Sequence, residues 1–338
     1  MSSGPFSGKP RTAVASPNLG PVSGMGIPNG TQFDTLGPTL TVTTQPAEPA
    51  GGDTVTATAV LTNDCPFPLR NAVLHLIDPG ATTAAKTIPL GDLRRGAKTT
   101  RRWETAMPAD VAGNVSFTAH VVFDVDGRSS DCARSAKTVT VPYEPNEVRD
   151  PYRTFGTADD AEFGQYGTQL VVWAGGRDFS GGTDEKGGIL LPGSAAESSV
   201  VQVKTVSLTG SDNPSAKYGI AVANDLTAPE KGGYAVLTMS KSFGLEFMTD
   251  SDGDGRLDTW AGGGGSTHPA WLRLVRDGTT YTAYSSVNNG LSWSEIASAT
   301  VPSASGAMDA GVVASAVNLN YPGTTVQAVF DHFTVEES

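Results

Sequence analysis

WLRLVRDGTTYTAYSSVNNGLSWSEI, residues 271–296, decides the fold class. Trp271, Arg273 and Val275 alternate with Leu272, Leu274 and Arg276. That period of two is what a strand imposes by sending successive side chains to opposite faces. Arg276-Asp277-Gly278-Thr279 carries the Asp-Gly signal of a tight hairpin, after which TTYTAYSS resumes the alternation. The stretch therefore reads as a β-meander, and no apolar pattern of period 3.6 competes with it.

Working outward, strand-like runs recur on both sides of the meander: TQLVVWAG, GGILLPG, SVVQVKTVSL, KYGIAVAND, GYAVLTMS, GLEFMTD, AGVVASAV and TTVQAVFDHFTV. With the two strands of the meander this makes ten segments separated by turn signals, the pattern of a two-sheet jelly-roll. Upstream, DTVTATAVLT sets Val55, Ala57, Ala59 and Leu61 against Thr54, Thr56 and Thr58. NVSFTAHVVF puts Val115, Phe117, Ala119, Val121 and Phe123 on one face. With 39–44, NAVLHLID and KTVTVPY, these short strands predict a separate sandwich. Trp103 reads as core of that sandwich and His75 as a strand-face residue. Four segments follow: a Gly/Pro/Ser-rich tail or linker over 1–38, a sandwich over 39–143, a linker over 144–152 (EPNEVRDPY) and a jelly-roll over 153–338.

Composition narrows the function. The 338 residues hold 23 Lys+Arg against 35 Asp+Glu, a formal charge of −12, which argues against a phosphate-binding surface and against anionic membranes. The sequence thus predicts no nucleic-acid partner, no membrane insertion and a monomer. Only four histidines are present, His75, His120, His268 and His332, too scattered for a histidine-metal site or a triad. There is no G-x-S-x-G, no H-E-x-x-H and no phosphate loop, and GGGGST at 262–267 lacks a lysine. Asp159-Asp160 and Asp184-Glu185 are adjacent carboxylates, which on a strand point apart, so a facing acid–nucleophile pair is not expected unless Asp184 or Glu185 meets Asp309 or Asp331. The expectation is a chain without catalysis of its own. With 40 Gly and 22 Pro among 338 residues, the chain reads as a loop-rich, extracellular β-protein, although no signal peptide is visible. A fragment, a mature form or a downstream start codon is therefore expected.

Cys65 and Cys132 lie in polar, turn-like contexts (NDCPFP and SSDCARS) and predict one disulfide, the alternative being two reduced loop cysteines. In DSDGDGRLD, Asp250, Asp252 and Asp254 alternate, Gly255 permits a sharp turn and Asp258 follows. With the Arg256 carbonyl, this spacing fits positions 1, 3, 5, 7 and 9 of an EF-hand loop. Position 12 is Ala261, so the bidentate Glu is missing. A structural Ca²⁺ is the cofactor expectation, weighed against a solvated acidic turn. Sugars stack their CH-rich faces on Trp and Tyr while neighbouring polar groups bond their hydroxyls. Trp173, Tyr218 and Trp271, with Arg273 beside them, are accordingly candidates for a polysaccharide- or glycan-binding site.

Three resemblances add to this reading. LTVTTQPAEPAGGDTVTATAVLTNDCPFPLRNAVLHL, LGDLRRGAKTTRRWETAMPAD and GNVSFTAHVVF, with Leu93, Gly96, Trp103 and Pro108, resemble the immunoglobulin-like domain associated with bacterial alpha-galactosidases. That resemblance implies a spacer. Ser286–Trp293 resembles the Asp-box of sialidases, with Asn288 in the Asp position, and implies a hairpin-stabilising turn. FGTADDAEFGQYG, GGTDEKGGILLPG, SAKYGIAVANDLTAPEKGGYAVL, DSDGDGRLD and AVFDHFTV, with the meander, resemble the concanavalin-like jelly-roll modules of bacterial secreted glycoside hydrolases. Lys217 and Gly219 are kept from that family's W-A-K-A-G-x-x-V-R run, while Ser215 stands for its Trp and Ala223 for its Arg. The resemblance implies a sugar-site role for Lys217. The combined expectation is an all-β chain, an Ig-like β-sandwich followed by a concanavalin A-like or LamG-like jelly-roll. Its expected function is a non-catalytic accessory region of a secreted carbohydrate-active protein. The alternative is the C-terminal portion of a secreted glycoside hydrolase assisting a catalytic domain encoded elsewhere.

Overall fold

The computed structural model describes residues 37–338 except 80–85, 126–127, 159, 181–182, 263–269 and 319–322, and omits the side chains of 125, 128–132 and 134. The described chain is all β, with one 3-10 turn at Pro229–Lys231. It divides into two compact units, the second comprising Val141–Ser338 with 50–52 and 108–113.

The first unit holds β1 (Thr39–Gln45), β2 (Thr54–Thr62), β3 (Leu69–Ile77), β4 (Lys86–Leu93), β5 (Lys98–Ala106), β6 (Gly113–Val125) and β7 (Arg128–Val141). They form a three-stranded sheet, β1-β2-β5, and a four-stranded sheet, β4-β3-β6-β7, the Ig-like arrangement. The alternation sorts the faces as expected: Val55, Ala57, Ala59 and Leu61 are buried, as are Phe117, Ala119, Val121 and Phe123. Trp103 is core, and its indole N–H donates to Asp78 at 3.1 Å. Asn63 is wholly buried because its amide is fully used: it donates to the carbonyls of Phe67 and Leu93 and accepts from the Cys65 N–H. Cys65 is buried beside it, whereas the Cys132 side chain, and with it the expected disulfide, lies outside the described residues.

The second unit holds β8 (Arg153–Gly156), β9 (Glu162–Tyr166), β10 (Gln169–Ala174), β11 (Gly187–Ala195), β12 (Ser198–Thr209), β13 (Lys217–Ala223) and β14 (Ala235–Ser240). It continues with β15 (Gly244–Thr249), β16 (Thr259–Gly262), β17 (Ala270–Asp277), β18 (Thr280–Ser286), β19 (Ser294–Thr300), β20 (Met308–Ser315) and β21 (Val326–Glu337). Two antiparallel seven-stranded sheets result, a front sheet β19-β18-β17-β12-β21-β10-β9 and a back sheet β16-β15-β14-β13-β20-β11-β8. The meander is β17-β18-β19, with Gly278 at φ 59° in its Asp-Gly hairpin.

The main core lies between these sheets. Leu272 and Leu274 of β17, Val201 and Val203 of β12 and Phe330 of β21 face Tyr218 and Ile220 of β13 and Leu237 of β14. Burying each such side chain contributes about 1.5–3 kcal/mol. A second apolar cluster covers the outer face of the back sheet, where Phe179, Leu226 and Leu257 from loops pack on Ala221, Val236 and Val313. β13 is therefore buried at every position, unlike a strand with one wet face.

Candidate functional site

Strand alternation alone builds a solvent-facing surface on the front sheet. Leu272, Leu274 and Arg276 turn into the core, which leaves Trp271, Arg273 and Val275 outside and partly exposed. Arg273 stands opposite Gln202 and Tyr284, and Trp271 opposite Lys204 and Ser286. The Arg273 guanidinium lies 3.7 Å from the centre of the Trp293 ring and donates from Nε (3.3 Å) and Nη2 (3.0 Å) to Gln202 Oε1. A planar cation is thereby fixed against an aromatic face. Partial burial lowers the Arg273 pKa and the Glu336 charge opposes that shift.

A β-bulge supplies the next side chain. Gln202 pairs with Thr334 and Lys204 with Asp331, so Val203 faces two residues of β21, and His332 there adopts φ 53°. Bulges re-aim side chains. Here the imidazole is turned out over Trp271, ring centres 5.7 Å apart. Asp331 steadies it, accepting from the His332 backbone N–H at 2.9 Å and from the Thr168 hydroxyl at 2.6 Å.

The turn at 286–293 supports the same surface from one side. Asn288 Oδ1 accepts from the Ser286 hydroxyl (2.8 Å) and the Ser292 N–H (3.0 Å), and Ser286 Oγ accepts from the Gly290 N–H (3.0 Å). Asn288 and Ser286 together hold the turn that the sequence implied. Trp293 sits between the Gly290 turn and Arg273, an added Cβ at Gly290 falling 3.6 Å from its ring.

The five sugar-site candidates do not converge. Trp271 and Arg273 share one strand face. Trp173 lies on the same face of the front sheet but three strands away on β10, about 14 Å across the sheet at ordinary strand spacing, and is further displaced along it, aligning through Gln327 with Thr209 rather than Lys204; it packs against Gly164. Tyr218 is wholly inside the core, its ring 5.3 Å from that of Phe330 and its phenol pKa pushed up by burial, so it offers no surface to a ligand. The strand reading contains the reason, since Tyr218 alternates with Lys217 and both cannot face outward together. Lys217 lies on the outer face of the back sheet, buried, 3.2 Å from Asp178 Oδ1 and 3.5 Å from Glu246 Oε2. Lys186, wholly buried, pairs with Asp184, and the Tyr234 hydroxyl donates to that carboxylate at 3.3 Å. Burial lowers the Lys186 pKa, against the pull of Asp184.

Asp184 therefore meets neither Asp309 nor Asp331. Asp309 caps the backbone N–H groups of Gly193 and Leu226, and Glu185 pairs with Arg177. An open depression of about 680 Å³, lined by Asn146, Tyr152, Arg153, Glu162 and Phe163 among others, contains none of the predicted site residues.

The acidic loop closes as its spacing requires, with Gly253 and Gly255 both at φ 84°. A Cβ at Gly255 would fall 2.2 Å from the Pro229 carbonyl oxygen. Ligand atoms of Asp250, Asp252 and Asp254 lie within 4.8 Å of one another, so these three carboxylates could hold a metal ion. Asp250 is buried and accepts the N–H groups of Gly253 (2.7 Å), Asp254 (3.1 Å) and Gly255 (3.0 Å). Asp258 is not in that group; it accepts from the N–H (2.9 Å) and hydroxyl (2.8 Å) of Ser251 and ties the neck of the loop. Those bonds, the Ser251 N–H first, lower its pKa. Arg256 donates its backbone N–H to Asp254 at 2.9 Å.

Sequence reasoning missed Gln202, Lys204 and His332 as members of the front-sheet surface, and Asp178 and Glu246 as partners of Lys217. Register brings Gln202 and Lys204 together, and their sequence signal is outward parity on β12; His332 has none, because a period of two along β21 would place it inward with Phe330 and only the bulge turns it out. No signal marked the other two.

No protein-family model matches the chain, and no curated protein matches it. Among solved structures it is similar to a functionally unknown protein from Saccharomyces cerevisiae, at 16% identity and TM-score 0.42 over 55% of this chain and 96% of that one. It is also similar to the GH43 protein BlXynB from Bacillus licheniformis, at 11% identity and TM-score 0.39 over 84% of this chain and 63% of that one. A third is the exoplasmic/lumenal domain of VIP36 in its Ca²⁺-bound form, at 13% identity and TM-score 0.33 over 55% of this chain and 88% of that one.

Proposed function

We propose that this chain is a non-catalytic, glycan-binding accessory region of an exported carbohydrate-active protein, with the front sheet of the second unit as its binding face. One observation carries the reading: Trp271 and the Arg273–Trp293 stack lie on one solvent face with Tyr284, Gln202, Lys204 and His332 around them. Such a face offers apolar rings to the CH side of a sugar and fixed polar groups to its hydroxyls. The Ig-like unit serves as a spacer. Among the described residues no helix is long and apolar enough to cross a membrane.

Affinity electrophoresis against a panel of soluble polysaccharides tests this. At least one is expected to retard the chain, and Trp271→Ala to weaken that retardation about tenfold, the ~1.4 kcal/mol scale of one aromatic contact. Trp293→Ala, which releases Arg273, is expected to act in the same direction. Retardation by no polysaccharide, or retardation indifferent to both substitutions, overturns the reading.

We further propose that the loop from Asp250 to Asp258 takes up a structural Ca²⁺ through Asp250, Asp252 and Asp254. Ion binding to the native state alone adds about 2.7 kcal/mol at a hundredfold excess over Kd, which is roughly 5–10 °C in Tm for a unit of this size. Differential scanning calorimetry is expected to show that rise, and Asp252→Ala with Asp254→Ala to abolish it. An unchanged melting curve in EDTA and in Ca²⁺ sinks the idea.

A further inference from the structure

Lys217, Asp178 and Glu246 are arranged as reactants rather than as a plain ion pair. Lys217 opens β13, Glu246 lies on β15, and Asp178 sits in the loop between β10 and β11, so three separate parts of the chain meet at one ammonium nitrogen. Nζ is 3.2 Å from Asp178 Oδ1 and 3.5 Å from Glu246 Oε2, with the buried Phe179 ring centred 5.5 Å away. Lys217 is 5% exposed and Glu246 8%. Glu246 Oε2 is buried without a hydrogen-bond partner. Two carboxylates therefore share a single cation: Asp178, partly exposed, also accepts from the Phe179 N–H (2.7 Å) and the Ser180 hydroxyl (2.9 Å), whereas Glu246 is buried, where an uncompensated charge is costly.

We propose that Lys217 and Asp178 condense into an intramolecular isopeptide bond, with Glu246 as the proton relay. The Lys217 ammonium passes a proton to Glu246, and the freed amine attacks Asp178 Cγ. The C–N bond forms as the C–O bond to one carboxylate oxygen breaks. Two of the three ammonium protons end on that oxygen, handed over through Glu246, and it leaves as water. Ammonium plus carboxylate thus becomes amide plus water, with no change of oxidation state and no co-reactant. Three fixed side chains convert an unfavourable bimolecular condensation into a unimolecular one, for which effective molarities reach about 10⁵ M and above. Lys217 and Glu246 are buried while the Asp178 side chain is 24% exposed, so the released water has a path to solvent. The product ties the loop carrying Asp178 to a central strand of the back sheet and leaves an amide N–H in place of the ammonium beside Glu246. Nothing in this chemistry depends on the glycan-binding face.

Intact-mass spectrometry of the reduced, denatured full-length chain tests it. The expected mass is one water below that of the sequence, and a digest is expected to leave the Asp178 peptide joined to the Lys217 peptide, with cleavage after Lys217 lost. Lys217→Arg and Glu246→Gln are expected to give their full sequence masses. Asp178→Asn can lose ammonia to give the same amide, so its linked product is expected at the wild-type linked mass. Wild type at full sequence mass overturns the proposal. A water loss mapped instead to an Asp–Gly step, such as Asp252–Gly253 or Asp254–Gly255, overturns it equally.

Discussion

Arg276→Ala is expected to lower the stability of the second unit by about 4 kcal/mol in equilibrium urea denaturation, the scale of removing a buried charge and opening a core cavity together. Arg276 is 1% exposed and points into the core from β17. Two of its three guanidinium nitrogens are held by main chain: Nη1 donates to the carbonyls of Ala195 (2.8 Å), Ala196 (3.3 Å) and Gly306 (2.8 Å), and Nε to that of Gly278 (3.0 Å), while Nη2 is buried without a partner. Those carbonyls belong to the end of β11, the β17–β18 hairpin and the loop before β20, so one side chain holds three chain reversals at the rim of the core. Alanine leaves the buried Ala195 carbonyl without this donor, at about 1–3 kcal/mol before relaxation, and gives up the bonds to the less buried Ala196, Gly278 and Gly306 carbonyls. Arg276→Lys keeps the charge but not the forked geometry and is expected to fall between the two. The Tyr281 phenol, already pushed up to about 12 mainly by burial, is held down in part by the Arg276 charge. An ultraviolet titration of Arg276→Ala should therefore move that phenol further up. A loss below about 1 kcal/mol for Arg276→Ala shows that the carbonyls find other donors.

The second large effect is expected at Asp250. Asp250→Ala removes the acceptor of three backbone N–H groups at a buried position and is expected to cost about 3 kcal/mol and to abolish any Ca²⁺ response. The pH dependence has a definite sign. Burial raises the Asp250 pKa above its ordinary value, with the N–H groups of Gly255 and Gly253 opposing and Asp254 adding to the rise. In the window just above the ordinary carboxylate value the native state then holds the proton more tightly than the unfolded chain. The Asp250 contribution to stability therefore falls as pH rises through that window. In EDTA, the stability advantage of wild type over Asp250→Asn is expected to shrink as pH rises above 4 and to level off once Asp250 is ionised. An advantage that grows with pH contradicts the assignment. Bound Ca²⁺, by favouring the carboxylate, is expected to reverse the slope.

How much of this was legible in the sequence depends on how many faces an element buries. Strands with a strict period of two were readable, and all ten runs in the second unit form strands. Those not marked out, β8, β9 and β16, are edges of the two sheets, and β19, the fourth edge, entered only as the tail of the meander. An edge strand has one neighbour and little buried area, so it needs no apolar alternation: β16 is TWAG and β19 is SEIASAT, both largely exposed. The same limit applies to the site. The outward parity of Trp271 and Arg273 was visible along β17, whereas their meeting with Gln202 and His332 depends on register and on a bulge, which no local pattern encodes. Tyr218 was misplaced because an aromatic residue carries no mark of which sheet face it occupies. The Asn288 turn was readable because all of its hydrogen bonds fall within eight residues.

The position of β21 bears on how the molecule is made. It is the last strand of the second unit to leave the ribosome, yet it lies inside the front sheet between β12 and β10, and the Thr168–Asp331 bond spans 163 residues. Until β21 emerges, β12 and β10 have no common neighbour and their apolar faces lack Phe330 and Val326. Such long-range pairing is slow to form. Assembly of the second unit therefore waits for β21, while the first unit, complete by Val141, can fold before it.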